Sequence, residues 1–475
     1  MKQPVAIHWF RRDLRISDNT SLNAAASEEL PLLPLYILSD WKKNHTWTGP
    51  GRQRFLCECL ESLSKNLKNT GSRLCLRQGQ ALEVFTTIFD ELEVATIHTN
   101  SDPDPFGKKI ESELAKICEE RGIPLHRHHD VALHRPEETN KDDGSPYRVF
   151  TPYSRRWLKL EKTKPLRRKS LPPCPSFKSL PLPSLETWKL SLPQSGNFVS
   201  GSEAAAQKRL KDAVANSLPT YAQQRDIPGT PVNSRLSQDL RWGTLSIRTV
   251  YHKVAQALSE AKISTTIESY QIYIKQLAWR DFYFHLLSAF PEVLKQEFNA
   301  DYRGLPWNEP DHSFEAWKQG QTGFPIIDAG MRELLETGFM HNRVRMITAM
   351  FLTKDLHLDW RLGEQHFAQH LLDSEIAANN GGWQWSAGTG ADAAPYFRIQ
   401  NPWTQSKRFD PKGIYIKQWV PELSDTPAKE LHQIPDLLNG PNRRNYPAPI
   451  LDHATERNRT LKIFKAHLEK VRGQK

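Results

Sequence analysis

The chain has 475 residues, 38% hydrophobic and 25% charged, the make-up of a globular protein, which excludes global disorder, a collagen-like chain and a disulfide miniprotein. At roughly 100 to 200 residues per domain, two or three domains are expected. Lys and Arg number 64 against 54 Asp and Glu, a net charge of +10 that suits a polyanionic partner without demanding one.

No run approaches the roughly 18 apolar residues that a membrane span needs. The opening MKQPVAIHWFRRDLR lacks the apolar stretch of a signal peptide, so a cytoplasmic protein is expected. The five cysteines (Cys57, Cys59, Cys75, Cys118, Cys174) are odd in number and have no CxxC spacing, which argues against a disulfide framework or structural zinc. Tryptophan is in surplus: 14 in all, nine of them from Trp242 onward, more than core filling ordinarily uses.

From Val5 to about Leu133, short β-rich runs (VAIHWF, PLLPLYIL, SRLCL, VATIHTN and the stretch around IPLHRHHDVAL) alternate with segments of helical period such as RQRFLCECLESLSKNL and EVFTTIFDELE. This rhythm predicts βαβ units and a Rossmann-like parallel sheet over residues 1–135. Residues 136–200 read as an interdomain connector: seven prolines fall between Pro165 and Pro193, a composition that resists helix and sheet. Residues 201–475 read as an all-helical domain. GSEAAAQKRLKDAVANSL, TTIESYQIYIKQLAWRDFYFHLLSAF, GMRELLETGFMHNRVRMITAMFLTKDL and GEQHFAQHLLDSEIAANN all repeat apolar residues every three or four positions. Gly381 to Glu422 is rich in Gly, Pro and aromatics and poor in period, which predicts a long irregular binding wall.

GxxxxGK[ST], HExxH, GxSxG and a strand-following GxGxxG are all missing, so phosphate-loop NTPase, zinc protease and serine hydrolase readings fall away. His126, His128, His129 and His134 cluster, but no pair has the i, i+4 spacing of a metal-binding helix face, and they read as structural. The loop ending in Asn233, Ser234, Arg235, Leu236 and Ser237 can offer hydroxyls, backbone N–H groups and one cation to a phosphate, although such residues also serve as plain helix caps.

In IKQLAWRDFYFH, helical spacing puts Gln276, Trp279 and Tyr283 on one face, where Trp279 can stack on a nucleobase while Arg280 on the flank meets a phosphate. HNRVRM likewise puts Asn342 and Met346 on one face, with Arg343 and Arg345 beside it. Buried arginines need carboxylates, and DSEIAANN supplies Asp373 and Glu375. Trp383 and Trp385 follow two glycines, which let backbone approach a planar ligand closely. Trp307, Trp360 and Trp383 lie in different predicted elements, a set able to relay electrons if the fold brings them together.

In order along the chain, HWFRRDLRISDN, GSPYRVFTPY, LAWRDFY, TGFPIIDAGMREL, TGFMHNRVRMITAMFLTKDL and NNGGWQWSAGTGADAAPYFRIQNP resemble the photolyase and cryptochrome family, and within it the bacterial class I cyclobutane pyrimidine dimer photolyases. The resemblance covers essentially the whole chain. It implies an N-terminal α/β antenna domain and a C-terminal helical domain that holds FAD, active as FADH⁻, in a folded-over conformation. It implies flavin contacts from Tyr221, Asn233, Ser234, Arg235, Leu236, Ser237, Tyr273, Arg280, Arg345, Asp373 and Glu375, with Asn379 facing flavin N5. Trp383, Trp360 and Trp307 match the family's electron relay. Trp279 and Trp385 match the walls of a lesion pocket, with Gln276, Asn342 and Met346 as its polar and soft contacts. Arg225, Arg343 and Arg398 match phosphate contacts, and Gln405 and Lys407 belong to the same DNA-facing set.

The implied activity is light-driven splitting of cyclobutane dimers flipped out of UV-damaged DNA, by a cytoplasmic monomer with no obligate protein partner. A (6-4) photolyase is the alternative repair reading; it would carry histidines where this chain has Asn342 and Met346. A cryptochrome-type photoreceptor is the alternative outside repair. Three departures stand out: Gln276 replaces the usual Glu, Glu375 the usual Asp, and Asn233 the usual Thr. NSDPDPFGKK matches the position of an antenna contact, for 8-hydroxy-5-deazaflavin or methenyltetrahydrofolate, while a plain βα turn accounts for its Asp, Pro and Gly equally well.

Overall fold

The computed structural model describes residues 3–39, 46–188, 197–230, 232–433 and 446–473. The N-terminal part alternates strand and helix: β1 (Pro4–Phe10), α1 (Thr20–Ala26), β2 (Leu32–Leu38), α2 (Pro50–Lys68), β3 (Cys75–Gln78), α3 (Ala81–Glu91), β4 (Glu93–Asn100), α4 (Pro105–Glu120) and β5 (Leu125–His128). The five strands form one parallel sheet in the order β3-β2-β1-β4-β5. Both faces are apolar because both are covered. Ala6, Phe10 and Leu32 meet α1 and α2 on one side, while Val5, Ile7, Trp9 and Leu33 meet α3 and α4 on the other.

The proline-rich connector, of which 189–196 lie outside the described residues, runs along the β3 edge. Leu180 N–H donates to Leu76 O at 3.0 Å, and Leu32 N–H donates to Pro173 O at 3.1 Å. This caps a strand edge that would otherwise expose unpaired backbone. Among the described residues of 136–200 lies the helix α5 (Phe150–Lys159), whose aromatics at positions 150, 153 and 157 are buried against the helical part of the chain.

The helical part comprises α6 (Glu203–Asp212), α7 (Tyr221–Gln224), α8 (Ser237–Trp242), α9 (Ile247–Glu260), α10 (Ser264–Ala289), α11 (His312–Gln319), α12 (Pro325–Thr337), α13 (Asn342–Met350), α14 (Trp360–His370), α15 (Ile376–Ala387), α16 (Pro402–Phe409), α17 (Ile414–Trp419), α18 (Ala428–Leu431) and α19 (His453–Gly473). Within the helical run from Gly330 to Leu356, Gly338, at φ 67°, closes α12 and leads to a new start at α13. One expectation is corrected. The segment from Gly381 to Glu422 is not irregular throughout, since it contains the end of α15 and all of α16 and α17. Gly381 has no room for a side chain, since a Cβ there would lie 2.2 Å from the Tyr283 ring, whereas Gly382 faces open space.

The opening motif HWFRRDLR docks the two parts together. Buried Arg12 donates to Asp102 at 2.9 Å and to Glu375 of the helical part. Arg15 pairs with Asp130, which also accepts from Arg248 of α9 at 2.7 Å. Among the described residues, no helix is long and apolar enough to cross a membrane.

Candidate functional site

A cavity of about 210 Å³ opens between α10, α13 and α15. On α13, exposed Asn342 and half-buried Met346 share a face, with Asn342 Nδ2 4.0 Å from Met346 Sδ. Arg345, on the inner side, donates to Met340 O at 2.7 Å and to Asp373 at 2.9 Å. Arg343 instead pairs with Asp226 at 2.9 Å and lies over the Phe409 ring.

Two carboxylates and an indole carry the cavity's chemistry. Burial would raise the Asp373 pKa, but Arg345, Ser237 and Arg235 together hold the carboxyl below its usual range. One Asp373 oxygen accepts from Arg345 and from Ser237 Oγ at 2.6 Å; Oδ1 is buried with no hydrogen-bond partner. Glu375 accepts from Arg12 through Oε2, with Arg280 4.0 Å away, and its Oε1 is likewise buried and unpartnered. The same holds for Nε1 of Trp383. Each such group costs about 1–3 kcal/mol unless something pairs with it. Carboxylate oxygens ask for donors and the indole asks for an acceptor, a set that a flavin's ring N–H, ring carbonyls and ribityl hydroxyls satisfy. Asn379, in the same wall, donates from Nδ2 to Glu364 O at 2.9 Å.

The 233–237 loop reaches this region from α8. Tyr273 OH hydrogen-bonds Ser234 Oγ at 3.1 Å, and Tyr221 meets the Tyr273 ring edge-on at 5.4 Å. Leu236 is buried, Asn233 is half-buried, and Arg235, at φ 51°, stacks its guanidinium 3.7 Å from the Phe339 centroid. Burial lowers the Arg235 pKa, yet Arg235 Nε remains without a partner.

On α10, Gln276, Trp279 and Tyr283 do share a face, and the Trp279 and Tyr283 rings are 5.8 Å apart. One side of Trp279 is already covered: Phe150 of α5 stacks on it at 3.7 Å and 10°. Sequence reasoning did not single out Phe150, although VFTPYSRRW carries its aromatic period. Gln276 is half-buried and its amide has only a long 3.5 Å contact to Ile272 O. Arg280 is turned inward, donating to Val131 O at 2.6 Å and lying over Phe284, so the structure gives it no place on a phosphate-facing flank. Trp385 is half-buried. Arg225 is half-buried beside Tyr221, Gln405 is half-buried on α16, and Arg398 and Lys407 are exposed.

Trp307, Trp360 and Trp383 all belong to one hydrophobic core, with Trp307 at its partly buried margin. Trp360 Nε1 donates to Glu297 at 3.2 Å. Trp383 packs where Gly363 leaves room, since a Cβ there would lie 2.1 Å from the indole. A fourth indole, Trp317, sits edge-on to Trp383 at 6.1 Å and was not foreseen. In the NSDPDPFGKK stretch, Asp104 caps α4 by accepting from Gly107 N–H at 2.8 Å, and Asp102 serves Arg12 and Arg11. Burial and Asp102 push the Asp104 carboxyl up to about 7. A cavity of about 410 Å³ adjoins this stretch, lined by Asp102, Lys108, Glu111, Arg127 and Phe284 among others.

Residues 6–175 match the family model described as DNA photolyase, and residues 273–466 match the FAD binding domain of DNA photolyase. A deoxyribodipyrimidine photo-lyase of Synechococcus sp. is 37% identical over 98% of this chain and 96% of its own length. The chain belongs to the DNA photolyase family. Photolyase and cryptochrome structures share its fold. A bacterial class III photolyase from Agrobacterium tumefaciens superposes with a TM-score of 0.90 at 34% identity, covering 99% of this chain and 98% of its own. A Synechocystis cryptochrome gives 0.89 at 30% identity, with 98% and 99% covered. The photolyase FAD-binding match spans the helices from α10 onward and contains Tyr273, Arg345, Asp373, Glu375 and Asn379, so FAD is the cofactor and the cavity's unpartnered groups fit it.

Proposed function

We propose that this chain is a deoxyribodipyrimidine photo-lyase that uses blue or near-ultraviolet light to split cyclobutane pyrimidine dimers in UV-damaged DNA, working as a cytoplasmic monomer. The observation that carries this reading is the cavity whose wall holds the buried, unpartnered Asp373, Glu375 and Trp383 groups and whose rim carries Asn342 and Met346. When bound, reduced FAD supplies, on excitation, the electron that opens the cyclobutane ring and takes it back afterwards.

The chain's own residues bind, orient and exclude water. Arg345 and Ser237 hold Asp373 ionised and aimed at the flavin's polar edge, while Arg12 orients Glu375. Asn379, anchored on Glu364 O, holds its amide toward flavin N5. Trp383 and Trp360, buried, and Trp307 at the partly buried margin form a path for electrons that reduce oxidised flavin. Trp279, backed by Phe150, and Trp385 wall the lesion, and the Gln276 amide can donate to a thymine carbonyl. Arg225, Arg343, Arg398, Gln405 and Lys407 meet the backbone of DNA whose lesion has left the duplex. Damage lowers the cost of that extrusion because the dimer already pairs and stacks poorly.

The test uses an oligonucleotide with one thymine dimer, a matched (6-4) substrate and a dark control, with flavin fully reduced. Light-dependent restoration of the dimer substrate alone is expected. Repair of the (6-4) substrate alone would reassign the lesion, and flavin-loaded protein that repairs neither would make light signalling the reading.

A further inference from the structure

Outside the flavin cavity, a cluster of ligand-bearing side chains among the described residues lies on the sheet, beneath the end of α1. The register of β4 with β5 sets His98 directly opposite His126 and Asn100 opposite His128, so His98, His126 and His128 face the same way. The His98 and His126 ring centroids are 4.7 Å apart. Glu28, two residues beyond α1, reaches the same spot and brings a carboxylate oxygen to 3.1 Å from His98 Nε2. One ligand atom each from Glu28, His98 and His126 can be chosen so that all three lie within 4.8 Å of one another. Three separate elements therefore converge on one point.

The chemistry of the set is selective. His98 is 3% exposed. His98 Nδ1 lies 3.1 Å from His128 Nε2, a hydrogen bond that fixes the ring, while Nε2 faces Glu28 at 3.1 Å and Thr96 Oγ1 at 3.3 Å, a hydroxyl that an ion at this nitrogen would displace. Metal-bound imidazoles are ordinarily oriented in this way through their other nitrogen. Two imidazoles and one carboxylate suit a borderline transition ion over Mg²⁺ or Ca²⁺, which prefer all-oxygen sets. Glu28 and His126 are exposed, so an ion has an entry path and a fourth position for water.

We propose that Glu28, His98 and His126 form a site for a divalent transition ion of the Zn²⁺ class, oriented by His128, that clips the end of α1 to the β4–β5 margin of the sheet. β5 has only four residues and sits at the sheet's edge, so a clip there adds the anchoring that its short ladder lacks.

The test titrates Zn²⁺ into full-length, tag-free, flavin-loaded protein after chelator treatment, reading stoichiometry by calorimetry and the melting temperature with and without Zn²⁺. One saturable site per chain and a raised melting temperature are expected, with affinity falling about 10-fold or more in Glu28→Gln and in His126→Ala. Both changes are at exposed positions, and each variant is expected to match the parent's flavin content and its melting temperature in chelator. His98→Ala removes a buried ring and is left aside for that reason. An absence of saturable binding would overturn the proposal, as would one-site binding unchanged in both variants.

Discussion

Glu364 shows how burial sets the chemistry of a single side chain. It is 5% exposed, with Asn380 Nδ2 at 3.1 Å from its carboxylate, and burial lifts its pKa to about 7. An acid with a raised folded pKa stays protonated in the native state where the unfolded chain has already ionised. Its stability contribution therefore falls as pH rises from the ordinary glutamate range through about 7, and stays lowered above that. Glu364→Gln keeps the acceptor for Asn380 and removes the titration. The variant is expected to gain stability over the parent as pH goes from 5 to 8, read as the difference in melting temperature at about five pH values across that window. A difference that does not change with pH would show that Glu364 is not the titrating group.

At the scale of elements, α10 serves two masters. Its 26 residues carry Tyr273 toward the 233–237 loop, Tyr283 into the cavity wall, and Asp281 toward α5 and the sheet domain, where it accepts from Trp157 at 3.0 Å. The helix succeeds because α5 brings Phe150 against Trp279 and holds that indole flat. Phe150→Ala removes the support and leaves a void, for which about 3 kcal/mol of stability is a typical loss. Lesion binding is expected to weaken by roughly tenfold, in line with one stacked base. The rate at which light and external reductant reduce oxidised flavin is expected to be unchanged, because Trp383, Trp360 and Trp307 lie in a different core cluster. Binding to a dimer-containing oligonucleotide and flavin bleaching under blue light separate the two effects.

At the scale of the whole molecule, the arginines of the opening motif join the sheet domain to the cofactor cavity. Arg12 lies between Asp102 and Glu375, both buried, so its loss leaves Asp102 to Arg11 at 3.4 Å and Glu375 to the more distant Arg280 at 4.0 Å. Breaking a buried pair from one side typically costs about 3–5 kcal/mol, and Arg12→Leu is expected to show a loss of that order in urea unfolding together with reduced flavin retention. The molecule's net charge of +10 and the exposed Arg398 and Lys407 bear on the substrate side. Affinity for lesion DNA is expected to fall linearly on logarithmic axes with salt, and Arg398→Ala is expected to lower the slope by about one. A salt-independent affinity would remove the DNA-facing role from these side chains.

The five strands, the long α10 and the alternation of the first 135 residues were legible in the sequence because local period and short apolar runs depend only on near neighbours. So was the grouping of Asp373, Glu375 and Asn379 within one short stretch, and the family resemblance that set them beside a flavin. The close approach of Gly381 to the Tyr283 ring was not legible, since it follows from what the chain meets in space. The tertiary structure alone decided that Arg12 finds Glu375 363 positions away, that Phe150 covers Trp279, and that Glu28, His98 and His126 converge. Partners so far apart in the chain leave no period to read; they are chosen by packing and by the need of every buried charge for a counterpart.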